Sequence, residues 1–180
     1  MQVDCFVASL LAMTVVSPIP RILVIAGSDS GGGAGIQADI KAITMLGGPA
    51  MTAVTAITAQ NTLGVSAVHP VPAEIILAQI DAVVADIGLD AVKIGMIGSA
   101  FAAELVASRV AALKAERAEL PIVFDPVMVA TSGAALADEA TVAGFAALMD
   151  IATLVTPNLP ELAALTEMPL GSVDEIGAAA

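Results

Sequence analysis

The chain has no tryptophan, no tyrosine, a single cysteine (Cys5), a single histidine (His69) and only 6 lysines and arginines among its 180 residues. Each scarcity removes a class of chemistry. Without Trp or Tyr there are no platforms on which the bases of a single strand could stack. Against the few basic residues stand 18 acidic ones, for a formal net charge of −12. That sign opposes nucleic acid as a partner, because phosphate binding needs clustered Lys and Arg. One cysteine cannot form an intrachain disulfide, which accords with a reducing cytoplasm. One histidine nearly excludes Cys–His nucleophiles and His-based zinc sites. It stands in Val68-His69-Pro70-Val71-Pro72, where two prolines predict an extended, solvated surface turn. Long apolar runs are missing too. Hydrophobic residues make up 58%, but alanine inflates that figure, and no run approaches the roughly 18 residues of a membrane helix. The expectation is one cytoplasmic domain, with carboxylates, amides and backbone N–H groups as its chemical tools.

Glycine, by contrast, is concentrated. Arg21 to Ile40 reads RILVIAGSDSGGGAGIQADI: an apolar run over Ile22–Ala26 suited to a strand buried on both faces, a glycine loop, then a helical pattern carrying Ile36, Ile40 and Ile43. Glycine lets a ligand approach the backbone where a Cβ would block it, and a helix start supplies unpaired N–H groups. Two known loops fail the comparison. A P-loop needs Lys directly after its second motif glycine, yet Gly32 is followed by Gly33. The dinucleotide fingerprint fits loosely on Gly33, Gly35 and Ala38, but no carboxylate follows between Lys41 and Ala73 to close the next strand. A tight turn that only packs helix against sheet is the bland alternative.

Before this stretch, residues 1–20 are expected to be a disordered tail or an over-extended start with Met13 as the initiator, since the apolar CFVASLLAMTVV lacks the basic residues of a secretory signal. After it, a helix to Leu46 stops at Gly47-Gly48-Pro49. Ala50–Ala59 reads as a buried strand delivering Gln60, Val65–Val68 as a short strand, and Pro72 onward as a helix. Asp90–Ile94 is a strand ending in Lys93-Ile94-Gly95-Met96, and Ser99–Glu116 is a helix. Pro121–Phe124 is a strand ending at Asp125. The Thr131-Ser132-Gly133-Ala134 loop and a helix over Asp138–Met149 come next, then a strand over Ala152–Val155 and a helix to Leu165. Strands alternating with helices predict an α/β fold on a mostly parallel sheet.

Ligands of such sheets sit beyond the carboxyl ends of the strands. That rule places Gly27, Gln60, Met96, Asp125 and Asn158 on one rim. Each also has an ordinary reading: Met96 as core, Asp125 before Pro126 as a turn former, and Asn158 with Glu161 as a helix-capping pair.

The segments AGSDSGGGAGIQADIKA, TAITAQNT, KIGM, DPVM with a following TSG, and TPNLPE resemble, in order, those of hydroxymethylpyrimidine/phosphomethylpyrimidine kinases of the ribokinase-like superfamily. The likeness runs from Arg21 to about Thr166. It implies a three-layer α/β/α fold and ATP- and Mg2+-dependent phosphorylation of 4-amino-5-hydroxymethyl-2-methylpyrimidine, then of its monophosphate, in thiamine biosynthesis, by a homodimer. Carried over by residue, it implies a substrate pocket of Gly27, Asp39, Gln60 and Met96. It also implies metal-side carboxylates at Asp125 and Glu161, and a nucleotide or phosphate contact at Asn158.

Family members continue to a glycine-rich anion-hole segment such as G-T-G-C that carries the catalytic base, and no such loop occurs up to Ala180. From this the expectations are a domain over residues 21–180 that is truncated at its C-terminal side, has no kinase turnover by itself and tends to aggregate. Two alternatives stay open: a pyridoxal/pyridoxine kinase relative, and a non-catalytic pyrimidine-binding remnant.

Overall fold

The computed structural model describes residues 19–129, 136–168 and 176–177. Residues 1–18 of the expected N-terminal extension over residues 1–20, the Thr131–Ala134 loop and all but residues 176–177 of the Ser172–Ala180 stretch lie outside the described residues.

The apolar run after Arg21 forms β1 (Ile22–Asp29). It is three residues longer than its hydrophobic stretch, because Ser28 and Asp29 still pair with Ile57 and Thr58 of β2 (Ala50–Asn61). The other elements, in chain order, are α1 (Gly35–Met45), β3 (Gly64–Pro70), α2 (Ala73–Asp86), β4 (Ala91–Ile94), α3 (Ala100–Glu116), β5 (Ile122–Phe124), α4 (Glu139–Ile151), β6 (Leu154–Val155) and α5 (Leu159–Thr166), with α1 lying between β1 and β2. Helix starts follow their polar signals: Ser99 accepts from Ala102 N, and Asp138 accepts from Thr141 N.

The six strands lie in the order β3-β2-β1-β4-β5-β6. All pairs are parallel except β2–β3, an antiparallel hairpin. That hairpin corrects the reading of His69, which lies in β3 opposite Ile57 rather than in a turn. Extended backbone before proline suits an edge strand as well as a turn, and His69 remains exposed.

The chain runs outward from β1 in both directions, so β1 and β4 form the switch point of the sheet. Leu23 and Ile25 join one apolar core with Ile76, Ile80, Val106, Val110 and Leu148 of α2, α3 and α4. Val24 and Ala26 are equally buried but point the other way, as strand alternation requires, beneath α1. Helices thus cover both faces, making three layers. Phe124 and Phe145 meet edge-to-face at 5.3 Å and join β5 to α4. Among the described residues no helix is long and apolar enough to cross a membrane.

Candidate active site

A cavity of about 270 Å3 opens where β1 and β4 end, with Gly27, Asp39, Gln60, Lys93, Met96 and Asp125 on its wall. Its position follows from topology. Neighbouring strand ends that lead helices to opposite faces leave a gap between them. A larger hollow of about 350 Å3 lies at the opposite rim, between Leu89, Asp90 and Arg117–Leu120. Two of its polar groups are already engaged: Asp90 is paired with Arg21 at 2.7 Å, and Arg117 Nη1 donates to Leu89 O at 2.6 Å. The carboxyl rim, where Asp29, Asp39, Thr58, Gln60, Lys93 and Asp125 converge on one cavity, is the candidate site.

The glycine loop owes its shape to Asp29. This buried carboxylate accepts from Gly31 N at 2.7 Å, Gly33 N at 2.9 Å and Ala34 N at 2.8 Å. Burial pushes its pKa up, but the N–H groups of Gly31, Ala34, Gly33 and Gly32 outweigh that and hold it below the usual carboxylate value. The nest of amides that a P-loop would offer to phosphate is therefore filled by the protein's own anion. Gln37 Oε1 accepts from Asp29 N at 2.8 Å, and Lys41 Nζ donates to Gly32 O at 2.6 Å, so α1 ties the loop from its far side. Gly35 has φ +56, and a Cβ there would overlap the carbonyl oxygen of Gly27. Only glycine suits this close passage.

Met96 packs over Gly27. A Cβ at Gly27 would stand 2.9 Å from Met96 Sδ, and Thr55 Oγ1 donates to Met96 O at 2.6 Å, fixing the backbone there. Gly27 and Met96 thus touch one another and form one patch of the cavity wall, where the thioether is a surface that adapts to a planar ring.

Between the flanking strands the cavity is charged. Lys93 alternates with Val92 and Ile94, which are buried in the core, so it faces the α1 side and meets Asp39 there. Nζ lies 2.9 Å from Asp39 Oδ2 and 3.8 Å from Asp125 Oδ2. Burial raises the Asp125 pKa. Lys93 opposes the shift, while the Glu161 and Asp39 carboxylates add to it.

Four of the five rim residues named from the sequence, Gly27, Gln60, Met96 and Asp125, come together here, and Asp39 joins them. Asn158 and Glu161 do not line the cavity. They form a capping box at the start of α5: Asn158 Oδ1 accepts from Glu161 N and Glu161 Oε2 accepts from Asn158 N, both at 2.9 Å. The reason is distance across the sheet. β6 lies three strands from β1, about 14 Å at normal strand spacing. Glu161 is nonetheless buried and reaches Met128 N at 3.4 Å, which turns it toward the segment that carries Asp125.

Sequence reasoning passed over three wall residues: Asp29, Lys93 and Thr58. Lys93 had a signal, as the one charge in an otherwise apolar strand. Asp29 was hidden inside the loop whose shape it sets, and Thr58 looked like any strand threonine. Among the described residues no group of three His, Cys, Asp or Glu side chains is gathered as a metal cage.

The phosphomethylpyrimidine kinase family model matches residues 29–180. The chain is 45% identical over 161 residues to the hydroxymethylpyrimidine/phosphomethylpyrimidine kinase of Haemophilus influenzae, a match covering 89% of this chain and 58% of that protein. The phosphomethylpyrimidine kinase structure from Clostridium difficile superposes with a TM-score of 0.78 at 38% identity, over 89% of this chain and 68% of that one. The pyridoxal kinase of Staphylococcus aureus, solved with AMP-PCP and pyridoxal, gives 0.76 at 33% identity, over 90% of this chain and 57% of that one. The chain spans less than two thirds of the length of the curated relatives it matches.

Proposed function

The chain belongs to the phosphomethylpyrimidine kinase family, and from that premise we propose that it serves the ATP-dependent phosphorylation of 4-amino-5-hydroxymethyl-2-methylpyrimidine and of its monophosphate, in cytoplasmic thiamine biosynthesis. One observation carries this reading. The switch-point cavity brings a thioether (Met96), a carboxamide (Gln60) and the carboxylates of Asp39 and Asp125 onto one wall.

In this reading Met96 covers the ring, Gly27 gives it room at the cavity wall, and Gln60 reads the amino group and the adjacent ring nitrogen. Asp39, held by Lys93, closes the pocket beside them. An aminopyrimidine offers a neighbouring donor and acceptor, and a carboxamide satisfies both at once.

The carboxylate of Asp125, on the cavity wall, suits Mg2+, a hard cation that binds through one or two carboxylates and keeps several waters, and Glu161, whose oxygens accept from Asn158 N and Met128 N, would act from behind it. Burial and neighbouring negative charge disfavour the ionised form of Asp125, and a cation would relieve that. Bound there, Mg2+ would neutralise charge on the phosphates of ATP. Asn158 spends Oδ1 on the helix cap, which leaves Nδ2 as its donor to phosphate. No residue of this chain is assigned as the catalytic base.

Titration calorimetry with the pyrimidine, without nucleotide, tests the pocket directly. Saturable binding to one site is expected. Gln60→Leu should weaken it about tenfold to a hundredfold, because a ring edge left unpaired on burial costs about 1–3 kcal/mol. Absence of binding to the unmodified chain overturns the proposal, and unchanged affinity in a folded Gln60→Leu variant removes Gln60 from the pocket.

The solved pyridoxal kinases similar to this chain favour pyridoxal as a second ligand to test. It should compete with the pyrimidine but bind more weakly, since its ring lacks the amino group that Gln60 would read. The homodimer implied by the family belongs to the same reading. Exposed Ile57, Leu63 and Val68 on the β2–β3 hairpin offer apolar surface for it, and sedimentation velocity would register the dimer.

A further inference from the structure

Thr58 lies on β2 between two paired strands, opposite Asp29 of β1 and Val68 of β3, and is buried. Its Oγ1 stands 2.7 Å from the carbonyl oxygen of Ser28 and 3.2 Å from the side-chain amide of Gln60, at the position of Oε1. A hydroxyl has one proton to give. A carbonyl oxygen cannot donate, so an oxygen–oxygen separation of 2.7 Å requires the Thr58 proton to lie on the line to Ser28. Toward Gln60, Thr58 therefore offers lone pairs only. An amide oxygen facing those lone pairs would set two acceptors against each other, whereas the amide nitrogen there makes a hydrogen bond. The two ends of a carboxamide have nearly the same shape, so the proton count decides which end faces Thr58.

The remainder of Gln60 has little freedom. Its N–H donates to Ser30 Oγ at 2.7 Å, and Ser30 Oγ donates back to Gln60 O at 2.7 Å. Main chain and strand position are held from both sides, and the order of nitrogen and oxygen along the amide edge is what Thr58 sets. Thr58, Ser28 and Gln60 all lie on the cavity wall, so that order is presented to whatever binds.

We propose that Thr58 is a positioning residue. Its hydroxyl, committed to Ser28 O, fixes the Gln60 carboxamide with Nε2 donating to Thr58 and Oε1 on the far side of the edge. The site then selects a ring whose donor lies opposite Oε1 and whose acceptor lies opposite the remaining Nε2 proton. A 4-aminopyrimidine carries that order, and its 4-oxo counterpart carries the reverse. The ligand's identity rests on the function proposed above; the amide orientation does not.

The test has a ligand-free arm and a binding arm. By NMR of the unliganded chain, one Gln60 side-chain amide proton should exchange slowly and show a nuclear Overhauser effect to the Thr58 methyl group. Thr58→Val, which keeps the β-branched shape, should abolish that protection, and Thr58→Ser should retain it. A role in packing alone would give the opposite ranking. In calorimetry the preference for the 4-amino over the 4-oxo pyrimidine should fall about tenfold in Thr58→Val, the scale of one lost hydrogen bond, and return in Thr58→Ser. Two rapidly exchanging Gln60 protons in the parent chain, or an unchanged preference in Thr58→Val, overturn the proposal. Should Thr58→Val fail to fold, the parent chain and Thr58→Ser still decide the orientation. A protected proton in a chain that binds neither pyrimidine upholds the orientation and overturns the pyrimidine reading.

Discussion

Asp29 shows how one side chain organises a loop that five glycines alone would leave loose. Asp29→Ala strands the N–H groups of Gly31, Gly33 and Ala34. Chemical denaturation is expected to show a loss of about 1–3 kcal/mol at neutral pH. The pH dependence has a definite sign. The folded pKa lies below the ordinary 3.8, so the stabilisation is present above 3.8 and is lost as pH falls through the lower, folded value. The difference between parent and Asp29→Ala should therefore shrink only in acid, and a gap that closes near neutrality would contradict the arrangement. Gly27 makes a second point at the same scale. Gly27→Ala sets a methyl group against Met96 Sδ. The methionine can swing away, so the fold should survive with a cost of about 1–3 kcal/mol, while the displaced thioether narrows the cavity. Pyrimidine affinity should drop more than thermal stability, a split that calorimetry and a melt read together.

At the scale of elements, β6 and α5 set Asn158 and Glu161 at a helix start, outside the cavity wall. The sequence pattern N-L-P-E supports a capping box and also matches the phosphate side of a kinase. The structure shows the capping box. Asn158→Ala should cost about 1 kcal/mol through the lost cap and leave nucleotide-free pyrimidine binding unchanged, because neither residue lines the cavity. A fall in pyrimidine affinity would mean that α5 is coupled to the cavity. The α1 helix is the counterexample to simple amphipathic reasoning. Its isoleucines recur at helical spacing, yet none of its residues is fully buried, and Ile40 is exposed. Its hold on the sheet comes partly from polar ties: Gln37 to Asp29, Lys41 to Gly32 and Asp39 to Lys93.

For the molecule as a whole, stability should be graded across the sheet. β1 pairs on both sides with its apolar side chains buried, whereas β3 is an edge strand without a buried residue. Hydrogen exchange should be slowest at Leu23–Ala26 and fastest in Gly64–Pro70, since local opening follows buried contact. Equal protection of both strands would indicate that the outer edge of β3 is covered by another surface, as pairing of two hairpins would do.

Much of this architecture was legible in the chain itself. Apolar β-branched runs of strand length, glycine at turns and helical periodicity between them depend on near neighbours, so Ile22–Ala26, Gly47-Gly48 and the alternation of strand and helix could be read without coordinates. The rule for strand ends then brought Gly27, Gln60, Met96 and Asp125 to one rim. What the sequence could not carry was the partner of each polar side chain. Lys93 and Asp39 are 54 residues apart, Ser28 and Thr58 are 30 apart, and only the stacking order of strands sets them within hydrogen-bond reach. The same order moved Asn158 away from the cavity and placed His69 in a strand. Local preferences select elements over a few residues, whereas proton sharing and ion pairing act over about 3 Å between segments distant in sequence. Which residues meet at the pocket was foreseeable from pattern; which partners their polar groups take was decided by the fold.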